Sequence, residues 1–468
     1  MAKEILIIGG GFAGLAAGVA LAGAGRRVRL LEQKPHVGGR ARSFLDPITG
    51  SVVDNGQHLF MGCYHATMRF LETIGTLDRI QFQSQLSIQF LDRDGRLTAL
   101  ECPNLPAPWH VFMGVLRSGS FSLKEKWGVL HLGRALKPAK VTKTCSGMRA
   151  GREGPPVRHH ETTRAADERI SRLTVTEWLA QLGQSESIQR NFWNLLCIAA
   201  LNEDPRVAAA ALFERVLRLA LFSSPEDSRL GVARVGLSDC YTQAAVDYIT
   251  ARGGRVECGR SVTNLPVSSG ICQAVKLASG EEIEASMVLA TVPWHRLASL
   301  LPADLLRSEP FFARILTLRP APIISINLWF DRPVTELEFV GLRGATIQWL
   351  FNKGKILESG ENYVSLVLSG ARQHIGRPKE ELLEVALREL GELLPAIRKA
   401  KLLRSMVVKE RSATFSPSCD ADEVRPPAQT PVKGLFLAGD WTATGLPATI
   451  EGAVQSGYTA ARAILQAV

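Results

Sequence analysis

The segment Gly9-Gly10-Gly11-Phe12-Ala13-Gly14 constrains this chain more than any other feature. It follows Glu4-Ile5-Leu6-Ile7-Ile8, which reads as a short buried strand. It opens an Ala-rich stretch over 13–25 that reads as a helix, and Val28-Arg29-Leu30-Leu31-Glu32 then reads as a second strand. This is GxGxxG in the βαβ setting that gives it meaning. Gly9 makes the tight turn, Gly11 lets a pyrophosphate approach the backbone, and Gly14 lets helix pack on strand. The helix N-terminus offers free N–H groups and a positive dipole end to phosphate. Glu32 ends the second strand, where a carboxylate can accept from ribose hydroxyls. The expectation is a dinucleotide site that also touches Phe12, Ala13 and Gln33; the alternative is a tight βα turn without a ligand.

A chain of 468 residues exceeds one simple core, so two domains are expected. Hydrophobic residues at 46% suit a soluble globular protein and leave material for an apolar tunnel. The formal charge is +10, and half of it sits in 137–165, where seven Lys/Arg face two Glu for a net +5. This basic stretch reads as a solvated, flexible loop, with a patch on anionic lipid as the alternative. No nucleic-acid motif accompanies the charge, and few aromatics are available for base stacking, so nucleic acid is not an expected partner. The eight cysteines are scattered, without CxxC or a Cys/His cluster of metal spacing, which points to reduced thiols, a cytoplasmic setting and no metal site. Residues 5–25 lack charge but contain seven glycines and run on into the strand ending at Glu32, so neither a leader nor a membrane span is expected there.

Further along, 105–136 mixes apolar and basic residues in a pattern compatible with amphipathic helices, and 174–222 is helix-rich. Residues 239–252 read as a helix, followed by strands at 255–258, 271–277 and 287–291. Residues 322–330, 345–351 and 362–368 alternate like an antiparallel sheet. Helical spacing returns at 379–394 and 450–466, with a last strand at 435–438 between them.

Gly38-Gly39-Arg40-Ala41-Arg42 resembles the GG-R segment of the amine oxidase and phytoene desaturase superfamily of flavoproteins. Gly434-Leu435-Phe436-Leu437-Ala438-Gly439-Asp440, with Thr449-Ile450-Glu451-Gly452-Ala453 after it, is similar to the C-terminal flavin motif of that superfamily. The resemblance implies FAD as cofactor. It implies an α/β fold, with a discontinuous Rossmann-like FAD-binding domain (1–80, 225–300 and 430–468). A second α+β substrate domain of antiparallel sheet and helices would take 81–224 and 301–429. It also places Gly38, Gly39, Arg40, Gly439, Asp440, Thr449, Ile450 and Ala453 at the cofactor, with Val262 at the adenine and Thr291 on a strand beside it. Asp54-Asn55-Gly56-Gln57-His58 looks like the loop passing the flavin ring, which adds Asn55, Gly56, Gln57 and His58; a satisfied structural histidine is the alternative for His58.

Outside the shared motifs, 54–64, Leu196-Cys197-Ile198-Ala199-Ala200-Leu201-Asn202 and Gln348-Trp349-Leu350-Phe351 are similar to the hydroxysqualene dehydroxylase family, also called squalene-associated FAD-dependent desaturases. The resemblance implies reduction of hydroxysqualene to squalene with loss of water, feeding hopanoid or related triterpenoid synthesis. A general acid should protonate the departing hydroxyl, and the candidates are His58, Glu203 and Asp204, the last two only because they adjoin a matched segment. Solvated turn or helix-cap carboxylates are the alternative for that pair. A long apolar isoprenoid belongs in a bilayer, so peripheral contact with the inner face of the membrane is expected, with prenyl synthases as partners and a separate reductant for the flavin. Trp109, Phe112, Phe121 and Trp127 mark 105–136 as the docking surface; an ordinary buried helix pair is the alternative.

Three rivals stay open. Amine oxidases share the flavin motifs, but they usually place an aromatic before Glu-Gly-Ala, where this chain has Thr449-Ile450. A carotenoid-type desaturase or isomerase differs in electron direction, which motifs around a flavin do not fix. A non-catalytic flavin-bound scaffold at a membrane would keep the motifs and lose the acid.

Overall fold

The computed structural model describes residues 4–136 and 170–467; the basic stretch 137–165 falls outside the described residues. Ile5–Ile8 is a buried apolar run and Val28–Glu32 is mostly buried, which suits central strands of a parallel sheet covered on both faces. They pair in parallel with Ile5 opposite Val28, and Met287–Ala290 flanks the other side with Met287 opposite Ile5. Arg255–Cys258 and Leu435–Leu437 close the two edges, again in parallel. The five strands come from widely separated parts of the chain. A smaller antiparallel sheet, Val262–Asn264, Ala274–Leu277 and Glu282–Glu284, lies between two of them in sequence.

The helix Phe12–Gly23 is buried along most of its length, so Ala and Gly serve close approach there rather than an exposed face. The last helix, Ile450–Ala467, crosses it. A Cβ at Gly457 would overlap the Ala13 carbonyl, so the two backbones are in direct contact.

The second layer is a seven-stranded sheet in the order 402–415, 320–330, 363–368, 349–352, 339–342, 87–91, 97–101. Neighbours are antiparallel except Phe339–Leu342 against Ser87–Leu91. Leu382, Ala386 and Leu390 of the helix Lys379–Leu393 share a core with Ile324, Ile326 and Leu366 of this sheet. Phe90, Trp349, Phe351 and Val367 share a different core with a helical cap that includes Trp109–Arg117, Leu123–Ala135, Asn194–Leu201 and Ala210–Leu221. Leu123–Ala135 starts at a reciprocal Ser122/Glu125 capping box. The architecture is thus the expected α/β one: a parallel nucleotide-type sheet built from both ends of the chain, joined to a mixed sheet with helices. Among the described residues no helix is long and apolar enough to cross a membrane.

Candidate active site

A continuous cavity of about 1010 Å³ runs from the glycine-rich turn into the space between the large sheet and the helical cap. One arm is polar and built on the parallel sheet. Gly9 has φ +107°, and a Cβ there would lie 2.8 Å from Thr291 Oγ1, so glycine is required on both counts. The Thr291 hydroxyl lies 2.9 Å from the carbonyls of both Ile8 and Gly9 and ties the turn to the neighbouring strand. Gly14 does not line the cavity; a Cβ on it would overlap the Gly9 carbonyl, which fits its expected packing role. Gly11 is different: a Cβ there would meet nothing closer than the Gly39 Cα at 3.9 Å.

The first helix has no side-chain cap at Gly11 and no acidic residue in its first turn. Its first N–H groups therefore sit at the cavity wall uncapped by any side chain, as an anion site requires. Gln57 also lines the cavity, and its buried Oε1 has no hydrogen-bond partner. These residues fit a dinucleotide.

Glu32 lines the same arm. Its carboxylate accepts from Gly10 N at 2.7 Å and from Lys34 N at 2.9 Å, so it also holds the turn in shape. Arg40 donates to Asp440 at 2.7 Å and to the Ala413 carbonyl at 2.6 Å, joining the GG-R segment, the Gly-Asp turn and the large sheet. Asn55 Nδ2 donates to the Arg40 carbonyl at 3.0 Å, which fixes the loop containing His58 against that segment. Thr449 Oγ1 accepts from Gly452 N at 3.0 Å at the start of the last helix. Glu451, the second residue of that helix, also lines the cavity and accepts from the amides of Ala66 and Thr67, both at 2.9 Å, and so caps the helix His65–Thr73.

Of the residues expected at the cofactor, Gly9, Gly11, Phe12, Ala13, Glu32, Gln33, Gly38, Gly39, Arg40, Asn55, Gly56, Gln57, His58, Val262, Thr291, Gly439, Asp440, Thr449, Ile450 and Ala453 all line this one cavity. Segments more than 400 residues apart in sequence converge here.

The other arm is apolar. Val111, Val115, Val129, Phe192, Phe222 and Trp349 are among its walls. His58 lies in the polar part. Burial lowers its pKa and the Asp54 carboxylate only partly opposes this, so the imidazole is neutral at pH 7 and carries one N–H to donate. Asp54 is itself buried against Lys353 at 2.8 Å. Burial works against its ionisation, but the ammonium, Ser43 and the Leu237 amide outweigh it and hold its pKa below the usual value.

Glu203 and Asp204 do not line the cavity, which corrects the expectation that either supplies a proton there. Glu203 is buried and accepts from Arg372 at 2.6 Å and from the Ser416 hydroxyl, stapling the cap to the large sheet. Asp204 pairs with the exposed Arg206 at 2.6 Å, a surface turn contact. Adjacency in sequence misled because Asn202 adopts a left-handed conformation, φ +53°, that ends its helix and redirects the chain. Asn202 itself lines the cavity and donates to Ala321 O and Thr414 Oγ1. Glu410 also lines the cavity and was not anticipated, since it lies on a strand whose charged sequence hides its pairing.

A profile for flavin-containing amine oxidoreductases matches residues 12–465. A hydroxysqualene dehydroxylase from Rhodopseudomonas palustris is 30% identical, covering 100% of this chain and 99% of its own length. One from Sinorhizobium fredii is 29% identical over 98% of each chain. A 15-cis-phytoene desaturase from Narcissus pseudonarcissus is 25% identical over 99% of this chain and 79% of its own. Among solved structures, an oxidoreductase from Methanosarcina mazei superposes with a TM-score of 0.70 at 16% identity, covering 99% of this chain and 100% of its own. Cyclohexylamine oxidase from Brevibacterium oxydans reaches 0.66 at 15% identity, covering 100% and 99%. The chain belongs to the flavin-containing amine oxidoreductases, in the family of the hydroxysqualene dehydroxylases, and is a flavin-dependent oxidoreductase.

Proposed function

We propose that this protein binds FAD and reduces hydroxysqualene to squalene with release of water. The observation that carries the reading is the single cavity joining a dinucleotide cradle to a long apolar arm. Full-length relatives bearing that activity in their names support the substrate. Bound reduced FAD supplies the hydride. The chain's own part is to hold, orient and dry the reactants. The helix N-terminus, Gly11 and Gly39 would hold the diphosphate, and the Arg40–Asp440 pair would fix the cradle. The apolar arm would bury the hydrocarbon and exclude water from the reacting carbon. His58 is proposed to hold the leaving oxygen by a hydrogen bond from the N–H of its neutral ring, because it lines the polar part of the cavity; the proton that completes the water is balanced by the one the reduced flavin gives up on oxidation. A thirty-carbon hydrocarbon resides in lipid, so the protein would work from the cytoplasm at the inner face of the membrane. Prenyl synthases would be its neighbours and a separate reductant would recharge the flavin.

The test is anaerobic: photoreduce the holoprotein, add hydroxysqualene, follow flavin reoxidation and assay squalene. Stoichiometric squalene is expected. Reoxidation without squalene, or none at all, removes the reaction. Phytoene desaturases among the relatives favour one second reading, oxidation of a polyene. Bleaching of the oxidised flavin by phytoene, with no response of the reduced form to hydroxysqualene, would select it.

A further inference from the structure

Two helices that wall the apolar arm carry different chemistry on their two sides. Val111 and Val115 of Trp109–Arg117, and Val129 of Leu123–Ala135, are buried and line the cavity. On their other side Trp109, Leu116, Leu123 and Trp127 are 64%, 45%, 80% and 63% exposed. A lone exposed apolar side chain needs no explanation, but four on one helical hairpin form a patch. Of the aromatics expected at a docking surface, Phe121 is buried and Phe112 half-buried, so they are not part of that patch.

Phe112 instead connects the two sides. Its ring is edge-on to exposed Trp109, with centroids 5.9 Å apart, and edge-on to Phe222 at 6.2 Å; Phe222 lines the cavity. The ring is seated against Gly133 of the second helix, where any Cβ would overlap it. The hairpin's own exposed charges are basic. Arg117 and Lys124 are exposed, and Lys126 is half-exposed with its ammonium on the Leu116 carbonyl at 2.7 Å. The hairpin's acid, Glu125, is occupied by the capping box. Tryptophan at the edge of an apolar face with flanking cations is the composition of a helix lying in a lipid–water interface.

We propose that this hairpin docks on an anionic bilayer, and that the apolar substrate enters between its two helices, past Phe112, into the cavity. The entry path rests on the reading of the substrate as a long isoprenoid; the docking face does not.

The docking test uses the flavin-loaded full chain and flotation with vesicles of phosphatidylglycerol and phosphatidylethanolamine, against phosphatidylcholine alone. Binding to the anionic vesicles is expected, at least tenfold weaker on the neutral ones and weakened by salt. Trp109→Ser with Trp127→Ser should lose at least tenfold while retaining flavin. Leu403→Ser, at a residue exposed on the large sheet's edge strand, should bind like the parent. Absence of parental binding, or equal binding by the double variant, overturns the proposal. So does a parental dimer that the double variant abolishes, which would assign the patch to a second copy. For entry, turnover of hydroxysqualene in vesicles should fall at least tenfold in the double variant and stay unchanged in detergent. Gly133→Ala, which displaces Phe112, should change kcat/KM several-fold in both media with an unaltered flavin spectrum; no change removes Phe112 from the path. Vesicle binding as expected with no squalene from the parent in detergent would overturn the reaction and leave the docking face supported.

Discussion

Arg40 and Asp440 form an ion pair at 2.7 Å although 400 positions separate them in the chain. The Asp440 side chain is nearly buried there, and Arg40 is also bonded to the Ala413 carbonyl of the large sheet. Three parts of the fold meet at one guanidinium.

Removing either partner should loosen the cofactor cradle. Arg40→Ala leaves Asp440 poorly solvated and without its cation, and Asp440→Asn leaves Arg40 half-satisfied. Flavin affinity is expected to fall tenfold to a hundredfold, about 1.4–2.8 kcal/mol. Titration of apoprotein with flavin measures this, and parental affinity in Arg40→Ala would show that the pair does not hold the cradle.

Gly11 and Gly14 should respond differently to a side chain. Gly14→Val collides with the Gly9 carbonyl and should cost about 3 kcal/mol or more of stability. Gly11→Ala meets almost nothing, so the apoprotein should unfold within about 0.5 kcal/mol of the parent. Its methyl group would stand where the backbone is bare to the cavity, so flavin binding should weaken. Thermal unfolding of the apo and flavin-loaded forms separates the two effects. Equal losses in both variants would contradict this.

The assignment of His58 to the leaving oxygen can be inverted by experiment. His58→Ala should lower kcat about a hundredfold with flavin retained. Glu203→Gln disturbs the buried contacts with Arg372 and Ser416 and should cost about 2 kcal/mol of stability while kcat per bound flavin holds. A hundredfold drop in kcat for Glu203→Gln, with His58→Ala near normal, would reverse the roles.

Acid stability should report the Asp46–Arg404 pair. Arg404 donates to both Asp46 oxygens at 2.7 and 2.6 Å, and together with Thr49 this outweighs burial and holds the carboxyl down from 3.8 to about 2. A carboxyl depressed on folding stabilises at high pH. The contribution is complete above about pH 5 and fades as the pH falls through 4 toward 2. Asp46→Asn should be about 1 kcal/mol less stable at pH 7 after solvent screening, with a flatter acid limb. Denaturant midpoints between pH 2 and 7 check both statements.

The parallel sheet was legible because its signals are local. A glycine-rich turn between two apolar runs, and a Gly-Asp turn before an apolar-striped helix, each specify a shape from a few residues. The large sheet was legible only in its middle. Leu402–Phe415 lies at the edge, with Arg404, Lys409, Glu410 and Arg411 on it and register shifts against Pro320–Phe330, so alternation is lost. The hairpin Ser87–Leu91 and Leu97–Glu101 could have been read from Asp92-Arg93-Asp94-Gly95 between alternating flanks. The Asp54–Lys353 pair had no local signature, since two lone charges 299 positions apart become partners only through tertiary packing. Glu203 shows the converse: a carboxylate beside a recognised segment faces the wrong way once Asn202 turns the backbone.

The contact between Gly457 and Ala13 has a consequence during synthesis on the ribosome. The opening strand and helix emerge early, with one flank that nothing yet covers. The helix's flank is closed by Ile450–Ala467, which is translated more than 400 residues later. The nascent chain should therefore need chaperone protection at its first helix, and premature termination within the final helix should yield aggregating protein instead of a smaller soluble flavoprotein.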